Sequence, residues 1–272
     1  MKERAIVFGA HGGLVGILTE SEQGRAASTA VIVSNIGMHH RVGPFRLYVE
    51  LARRLAGNCV PVLRFDLAGM GDSEPRHDAP SPSERAQRDL DDAMQLLTDT
   101  VGAEKFILIG LCSGVDSSHA AATRDPRVIA AAFIDGYSYP SPGFYARRFR
   151  TDLLDPGRWK RFLRRHLGSG GPNEFRADEP QVFVRDNPTR AQFRQDVLRM
   201  TRRGVRLLFV YSGGVFYRFN SPRQFFEMLG ARLKSDHIEI EAMYSADHVF
   251  TSVARRNALV GRLEEWVRTV MA

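Results

Sequence analysis

The chain has 272 residues, 43% of them apolar, which suits one α/β domain with an insertion and a sizeable core. Its two cysteines, Cys59 and Cys112, exclude a disulfide framework, no apolar run is long enough to span a membrane, and the opening Met1 to Arg4 lacks the apolar stretch of a signal peptide, so the expectation is a cytoplasmic protein. The formal net charge of +7 points to an acidic partner or substrate, or simply to heavy arginine use, whereas zinc-ligand spacings, Walker loops and nucleic-acid motifs are missing, so no metal, cofactor or nucleic acid is expected.

Arg4 to Gly9 and Leu14 to Thr19 read as two short strands around a tight turn at His11, Gly12 and Gly13. Ser28 to Ser34 is a continuous apolar run rich in β-branched residues, as a strand buried on both faces requires. A loop from Asn35 to Pro44 follows, with Gly37, Met38, His39 and His40. The two histidines suit the lining of a site and suit an exposed loop equally well. Phe45 to Leu55 has helical spacing. Cys59 to Phe65 is the fourth strand, with Cys59 packing as a small hydrophobe. The glycines between Asp66 and Ser73 predict a tight turn that acts as scaffold, in which Asp72 or Ser73 caps a helix or steadies the loop. After a polar loop, Ser83 to Val101 is an amphipathic helix with Leu90, Met94 and Leu97 on one face.

The stretch Gly110-Leu111-Cys112-Ser113-Gly114 organises the chain. It follows the apolar strand Lys105 to Ile109 and precedes a small-residue helix, Val115 to Thr123. One reading is a glycine-bounded turn with a buried structural thiol. The flanking strand and helix favour another: a turn so sharp that only glycine fits at its ends, lifting the Cys112 side chain into a cleft at a helix N-terminus.

Val128 to Ile134 is the sixth strand and ends at Asp135. Residues from Ser138 to Arg203 differ in kind. Prolines and the run Gly168 to Gly171 interrupt short helical patterns at Pro156 to Leu167 and Arg190 to Arg202. The economical reading is a helical cap at 138–203 inserted into a core of 1–137 and 204–272. Between Arg147 and Arg165 it is strongly basic, through Arg147, Arg148, Arg150, Arg158, Lys160, Arg161, Arg164 and Arg165. Val205 to Tyr211 is the seventh strand, followed by Ser212 to Gly214 and an aromatic loop with Phe216, Tyr217 and Phe219. A helix at Ser221 to Leu233, an eighth strand at Ile238 to Tyr244, the turn around Asp247 and His248, and a helix from Thr251 to Val270 complete the pattern.

Alternating strands and helices, the sharp turn after strand five and a histidine after the last strand resemble the α/β-hydrolase superfamily over nearly the whole chain. Closer still, Arg41 to Arg46, Pro61 to Ser73, Gly110 to Cys112, Leu154 to Trp159 and Asp247 to Phe250 are similar to the hydrolases found beside exosortase systems, distant relatives of serine aminopeptidase-like esterases. The cysteine at the elbow is also similar to that of dienelactone hydrolases and of enzymes that shuttle aminoacyl groups between carrier proteins. The resemblance implies an α/β-hydrolase fold: a mostly parallel eight-stranded sheet, helices on both faces and a cap after strand six. It implies Cys112 as nucleophile, His248 as base, and oxyanion-hole N–H groups from Ser113 and from Gly37 or Met38. One departure is that the loop after strand seven, where the acid of such triads usually sits, holds no carboxylate. Asp135, at the neighbouring strand tip, is the best replacement; a cysteine–histidine pair working without a strong acid is the other possibility.

The expected activity is acyl transfer through an acyl-Cys112 intermediate. A thioesterase or ester hydrolase comes first, with an acyltransferase and a non-catalytic binding subunit as alternatives. A thiol exchanges almost evenly with a thioester, so the expected donor is an acyl thioester on an acidic carrier protein or coenzyme A. The basic cap would then serve as docking surface. His39, Trp159, Phe216 and Tyr217 are the candidates for substrate contact.

Overall fold

A computed structural model describes residues 1–10, 12–22, 28–37, 39–153, 187–230 and 235–272. The chain opens with β1 (Lys2–Phe8) and β2 (Leu14–Glu20), then β3 (Thr29–Val33), α1 (Leu47–Gly57) and β4 (Val62–Phe65). Next come α2 (Pro82–Val101), β5 (Lys105–Leu111), α3 (Gly114–Arg124), β6 (Val128–Ile134) and α4 (Pro142–Leu153). The described part closes with α5 (Arg190–Arg202), β7 (Arg206–Ser212), α6 (Arg223–Leu229), β8 (Ile238–Met243) and α7 (Val253–Met271).

The eight strands form one sheet in the order β1-β2-β4-β3-β5-β6-β7-β8. Only β2 is reversed, antiparallel to both β1 and β4; from β4 to β8 all pairings are parallel. This is the mostly parallel eight-stranded α/β architecture expected from the sequence. Because the central strands are covered on both faces, their side chains are apolar without interruption. In β5, Phe106 and Leu108 join the cluster under α2, α3, α5 and α6, while Ile107 and Ile109 join the cluster under α1 and α7.

Helix ends follow local chemistry. Ser81 caps α2, its Oγ accepting from the Glu84 N–H at 3.2 Å, and Pro82 occupies the first turn, where no N–H is required. Gly102 ends the same helix with φ +74°. α5, which the sequence places inside the 138–203 insertion, buries Phe193, Val197 and Met200 in the same cluster as the sheet. The insertion therefore returns to the core layer by Phe193. α6 is shorter than the expected 221–233 and stops at Gly230, whose φ of +99° ends the helical path. The predicted helix from Pro156 to Leu167 lies outside the described residues. Among the described residues, no helix is long and apolar enough to cross a membrane.

Candidate active site

β5 enters a reverse turn at Cys112, whose φ is +55°. The turn is closed by backbone bonds: Cys112 N–H to the Ile134 carbonyl at 2.9 Å, and Val115 N–H to the Cys112 carbonyl at 3.2 Å. A Cβ on Gly110 would sit 2.3 Å from the Gly114 carbonyl oxygen, and one on Gly114 would sit 2.8 Å from that of Asn35. Both positions thus demand glycine, and the side chain left at the apex is Cys112. It is partly accessible, as is Cys59 just ahead of β4, and neither cysteine forms a disulfide.

The loop after β3 carries Gly37 to the same point. Gly37 N–H donates to Ser113 Oγ at 2.5 Å. That donor is satisfied within the protein until a better acceptor displaces the hydroxyl. The loop is pinned from outside by Arg41. Its backbone N–H meets Asp66 Oδ1, its guanidinium meets Asp66 Oδ2, and its second arm reaches Asp72 at 2.6 Å. Asn35 Oδ1 accepts from Leu67 N–H at 3.0 Å, tying the same two loops. Ser73 steadies the second loop, donating to the Asp66 carbonyl at 2.7 Å and accepting from Val15 N–H at 2.9 Å. The segment 66–73 is therefore scaffold for the loop that carries Gly37 to Ser113. No role for the Arg41–Asp66 pair is legible in the sequence, because the two are 25 residues apart and neither belongs to a periodic pattern.

At the tip of β6, Asp135 is fully buried with φ +50°. Its Oδ1 accepts Ser212 N–H at 2.6 Å, and its Oδ2 accepts Ser212 Oγ–H at 2.6 Å. The same Oδ2 lies 2.8 Å from His248 Nδ1. The imidazole's other side-chain hydrogen bond is to Cys112. Asp135 and Cys112 together push the His248 pKa up to about 9, since each bond favours the protonated ring. The side chain of His248 is about a third exposed, 35%, whereas the Asp135 carboxylate bonded to it is sealed below.

The seventh-strand loop has a different task from carrying an acid. A Cβ on Gly213 would collide with the Tyr244 carbonyl at 2.1 Å, and one on Gly214 would lie 2.4 Å from His248 N. Glycines there let the loop bearing His248 lie flat on the end of β7. Ser212 meanwhile orients Asp135. The sequence reading missed Ser212, whose one available signal was a hydroxyl at a strand end beside a carboxylate-free loop. Asp247 turns away from the histidine's ring and caps its own turn, accepting from Val249 and Thr251 N–H groups at 3.0 and 3.1 Å.

Of the residues proposed for substrate contact, His39 is exposed, and Phe216 and Tyr217 are 43% and 67% exposed. Phe216 packs edge-on against Tyr244 at 5.4 Å. Phe219 is core, stacked on Tyr211 at 3.6 Å. Met38 and Trp159 lie outside the described residues, as do the basic residues from Arg158 to Arg165. Arg147, the first of that basic series, is tied to Glu227 at 2.7 Å and to Asn220 at 2.9 Å. A cavity of about 760 Å³ adjoins the site; Gly37 and Ser113 line it, but Cys112, His248, His39, Phe216 and Tyr217 do not. Among the described residues, no group of three or more His, Cys, Asp or Glu is arranged to hold a metal ion.

Comparison with known proteins agrees with this fold. A model of the Alpha/beta hydrolase family matches residues 35–264. No curated protein matches the chain in sequence. Among solved structures, the esterase Pf2001 of Pyrococcus furiosus superimposes with a TM-score of 0.65 at 13% identity, covering 100% of this chain and 92% of its own. Est1E from Butyrivibrio proteoclasticus gives 0.62 at 12% identity, covering 98% of each chain. The esterase domain of a Rhodothermus marinus protein gives 0.60 at 17% identity, covering 98% of this chain and 99% of its own. At such identities the likeness is one of fold.

Proposed function

The chain belongs to the Alpha/beta hydrolase family, and on that premise we propose that it is a cysteine-dependent hydrolase acting on an acyl thioester through an acyl-Cys112 intermediate. The observation that carries this reading is the hydrogen-bonded series from buried Asp135 through His248 to Cys112. A histidine held protonated well above neutrality is the counter-ion that a cysteine thiolate needs.

In the proposed mechanism the Cys112 thiolate attacks the thioester carbonyl carbon and forms a new sulfur–carbon bond. The carbonyl oxygen becomes an oxyanion held by the N–H groups of Ser113 and Gly37, with the Ser113 hydroxyl swinging off Gly37. Each such donor contributes about 3 kcal/mol to transition-state stabilisation in studied cases. Collapse breaks the substrate's carbon–sulfur bond, and His248 gives its proton to the departing thiolate. Water then attacks the acyl-enzyme while His248 takes one of its protons. Collapse of this second intermediate breaks the Cys112–carbon bond, releases the acid and restores the ion pair. An amine, alcohol or second thiol in place of water would make the same residues an acyltransferase.

Incubation with an acyl N-acetylcysteamine thioester should add one acyl mass to the protein, and Cys112→Ala should abolish both the adduct and turnover. Turnover by Cys112→Ala, or faster cleavage of oxygen esters than of thioesters, would overturn the reading. The donor's carrier is proposed to be acidic, on the strength of the chain's net charge of +7 and its basic run from Arg147 to Arg165. Arg161→Glu with Arg164→Glu should then raise KM for a carrier-bound donor and not for the N-acetylcysteamine thioester.

A further inference from the structure

The cavity beside the elbow has a built floor that the proposed acyl chemistry does not use. His119, on α3, lines it and is 94% buried, being 6% exposed. Its Nε2 makes no hydrogen bond. The ring is caged by Tyr137, Phe193 and Phe133 at centroid distances of 5.4, 5.5 and 6.0 Å. Facing it from α5 is Asp196, 5% exposed, with Oδ2 at 3.6 Å from Nε2, too long for a hydrogen bond. Asp196 Oδ1 is held by Gln192 Nε2 at 3.0 Å. Among the described residues no lysine or arginine pairs with Asp196. Burial among the rings lowers the pKa of His119, against the pull of Asp196 and Asp116, so the histidine does not supply the missing positive charge. Arg85, Arg124 and Arg199 line the cavity too, but Arg85 bonds the Ala79 carbonyl, Arg124 is held by Asp91 at 2.7 Å, and Arg199 is exposed.

A buried carboxylate with no cationic partner among the described residues and an imidazole nitrogen with no hydrogen bond stand 3.6 Å apart, open to the same cavity. A primary ammonium supplies one N–H to Asp196 Oδ2 and another to the lone pair of neutral His119, with aromatic rings around it. A hydroxyl can bridge the two only by donating to Asp196 and accepting from an Nε2–H, and it brings no positive charge to offset the carboxylate.

We propose that His119 and Asp196 form an ammonium-binding subsite, so that the acyl group this enzyme transfers carries a primary amine at its far end. The proposal rests on the acyl-transfer reading for its link to Cys112, because the cavity meets the reacting carbonyl through Gly37 and Ser113. His119 lies six positions along the chain from Ser113, a rise of about 9 Å along α3, which sets the span from carbonyl to amine.

The test compares N-acetylcysteamine thioesters of ω-aminohexanoic, ω-hydroxyhexanoic and heptanoic acid. The amine should give the highest kcat/KM, by about tenfold over the methyl-ended substrate, and Asp196→Asn should collapse that ratio. Equal rates for the three substrates, or a ratio unchanged by Asp196→Asn, would overturn the subsite. The wild-type order is decisive even where Asp196→Asn fails to fold. If no thioester is turned over, the acyl-transfer reading fails, and titration calorimetry with hexylammonium judges the subsite alone. Saturable binding that His119→Phe removes supports it, and no binding overturns it.

Discussion

Gly214 lies so close to His248 that a Cβ on the glycine would stand 2.4 Å from the histidine's backbone nitrogen. The base is therefore positioned by the absence of a side chain on a neighbouring loop. Gly214→Ala should push the His248 loop off β7 while leaving the two core clusters intact. Displacing a catalytic group by about 1 Å costs on the order of a hundredfold in rate. The check is kcat/KM alongside the thermal melting curve. Full activity in Gly214→Ala would mean that the loop has slack which this packing denies.

Asp135→Asn keeps the size of the side chain but changes its partners. Ser212 N–H still has an acceptor, whereas the amide nitrogen takes the place of Oδ2 and faces both Ser212 Oγ and His248 Nδ1, which are arranged here around a carboxylate oxygen. The variant should lose about 1–3 kcal/mol of stability and most of its activity. The His248 ring titration, followed by NMR, should fall from about 9 toward the ordinary 6.5, because the largest cause of its elevation is gone. A titration that stays near 9 would assign the elevation to Cys112 alone.

The same titration sets the pH dependence. The His248 pKa is raised in the folded chain, so its contribution to stability is fully present below about 6.5 and is lost as pH rises through about 9. The thiolate–imidazolium pair is lost over the same interval, so kcat/KM should fall on the alkaline side with an apparent pKa near 9. Cys112→Ala removes the second hydrogen bond and should lower the His248 titration. An alkaline limb near 6.5 instead would sink the ion-pair description.

Arg41 holds the loop that carries Gly37 against a fully buried carboxylate, Asp66. Removing one partner of such a pair leaves the other buried and uncompensated, at a cost of roughly 3–5 kcal/mol. Arg41→Leu should melt several degrees lower. Its acylation rate should fall further than the affinity for substrate, since Gly37 loses its fixed aim. The double variant Arg41→Leu with Asp66→Leu should recover stability without recovering the rate. Recovery of both would reduce the clamp to a structural tie.

What could be read from the sequence was whatever local pattern determines. The run from Lys105 to Ile109 is apolar at every central position because β5 is covered on both faces, and Val128–Ile134 was legible within its own residues for the same reason. The glycines at 110 and 114 announced the elbow because the steric demand is local. Asp135 was paired with His248 by elimination, and its Oδ2 stands 2.8 Å from Nδ1. Ser212, Arg41 and the pair of His119 with Asp196 were not legible. Each owes its place to a partner 25 to 77 residues away, across strands or between helices, and no short spacing encodes such meetings. α5 was legible as a helix over Arg190 to Arg202, but its packing against the sheet was not, because the prolines and glycines around it speak of insertion while its burial depends on distant strands.

Cys112 and Asp135 cap neighbouring strands, β5 and β6, which are laced together along their length, and each is held in a left-handed kink at its strand end. They move as one body. His248 arrives from beyond β8 and touches that body through side chains and one flat loop contact. Gentle heating should therefore uncouple the histidine before it loosens the sheet, so that activity fades reversibly at temperatures where the circular dichroism of the protein is still that of the cold, intact fold.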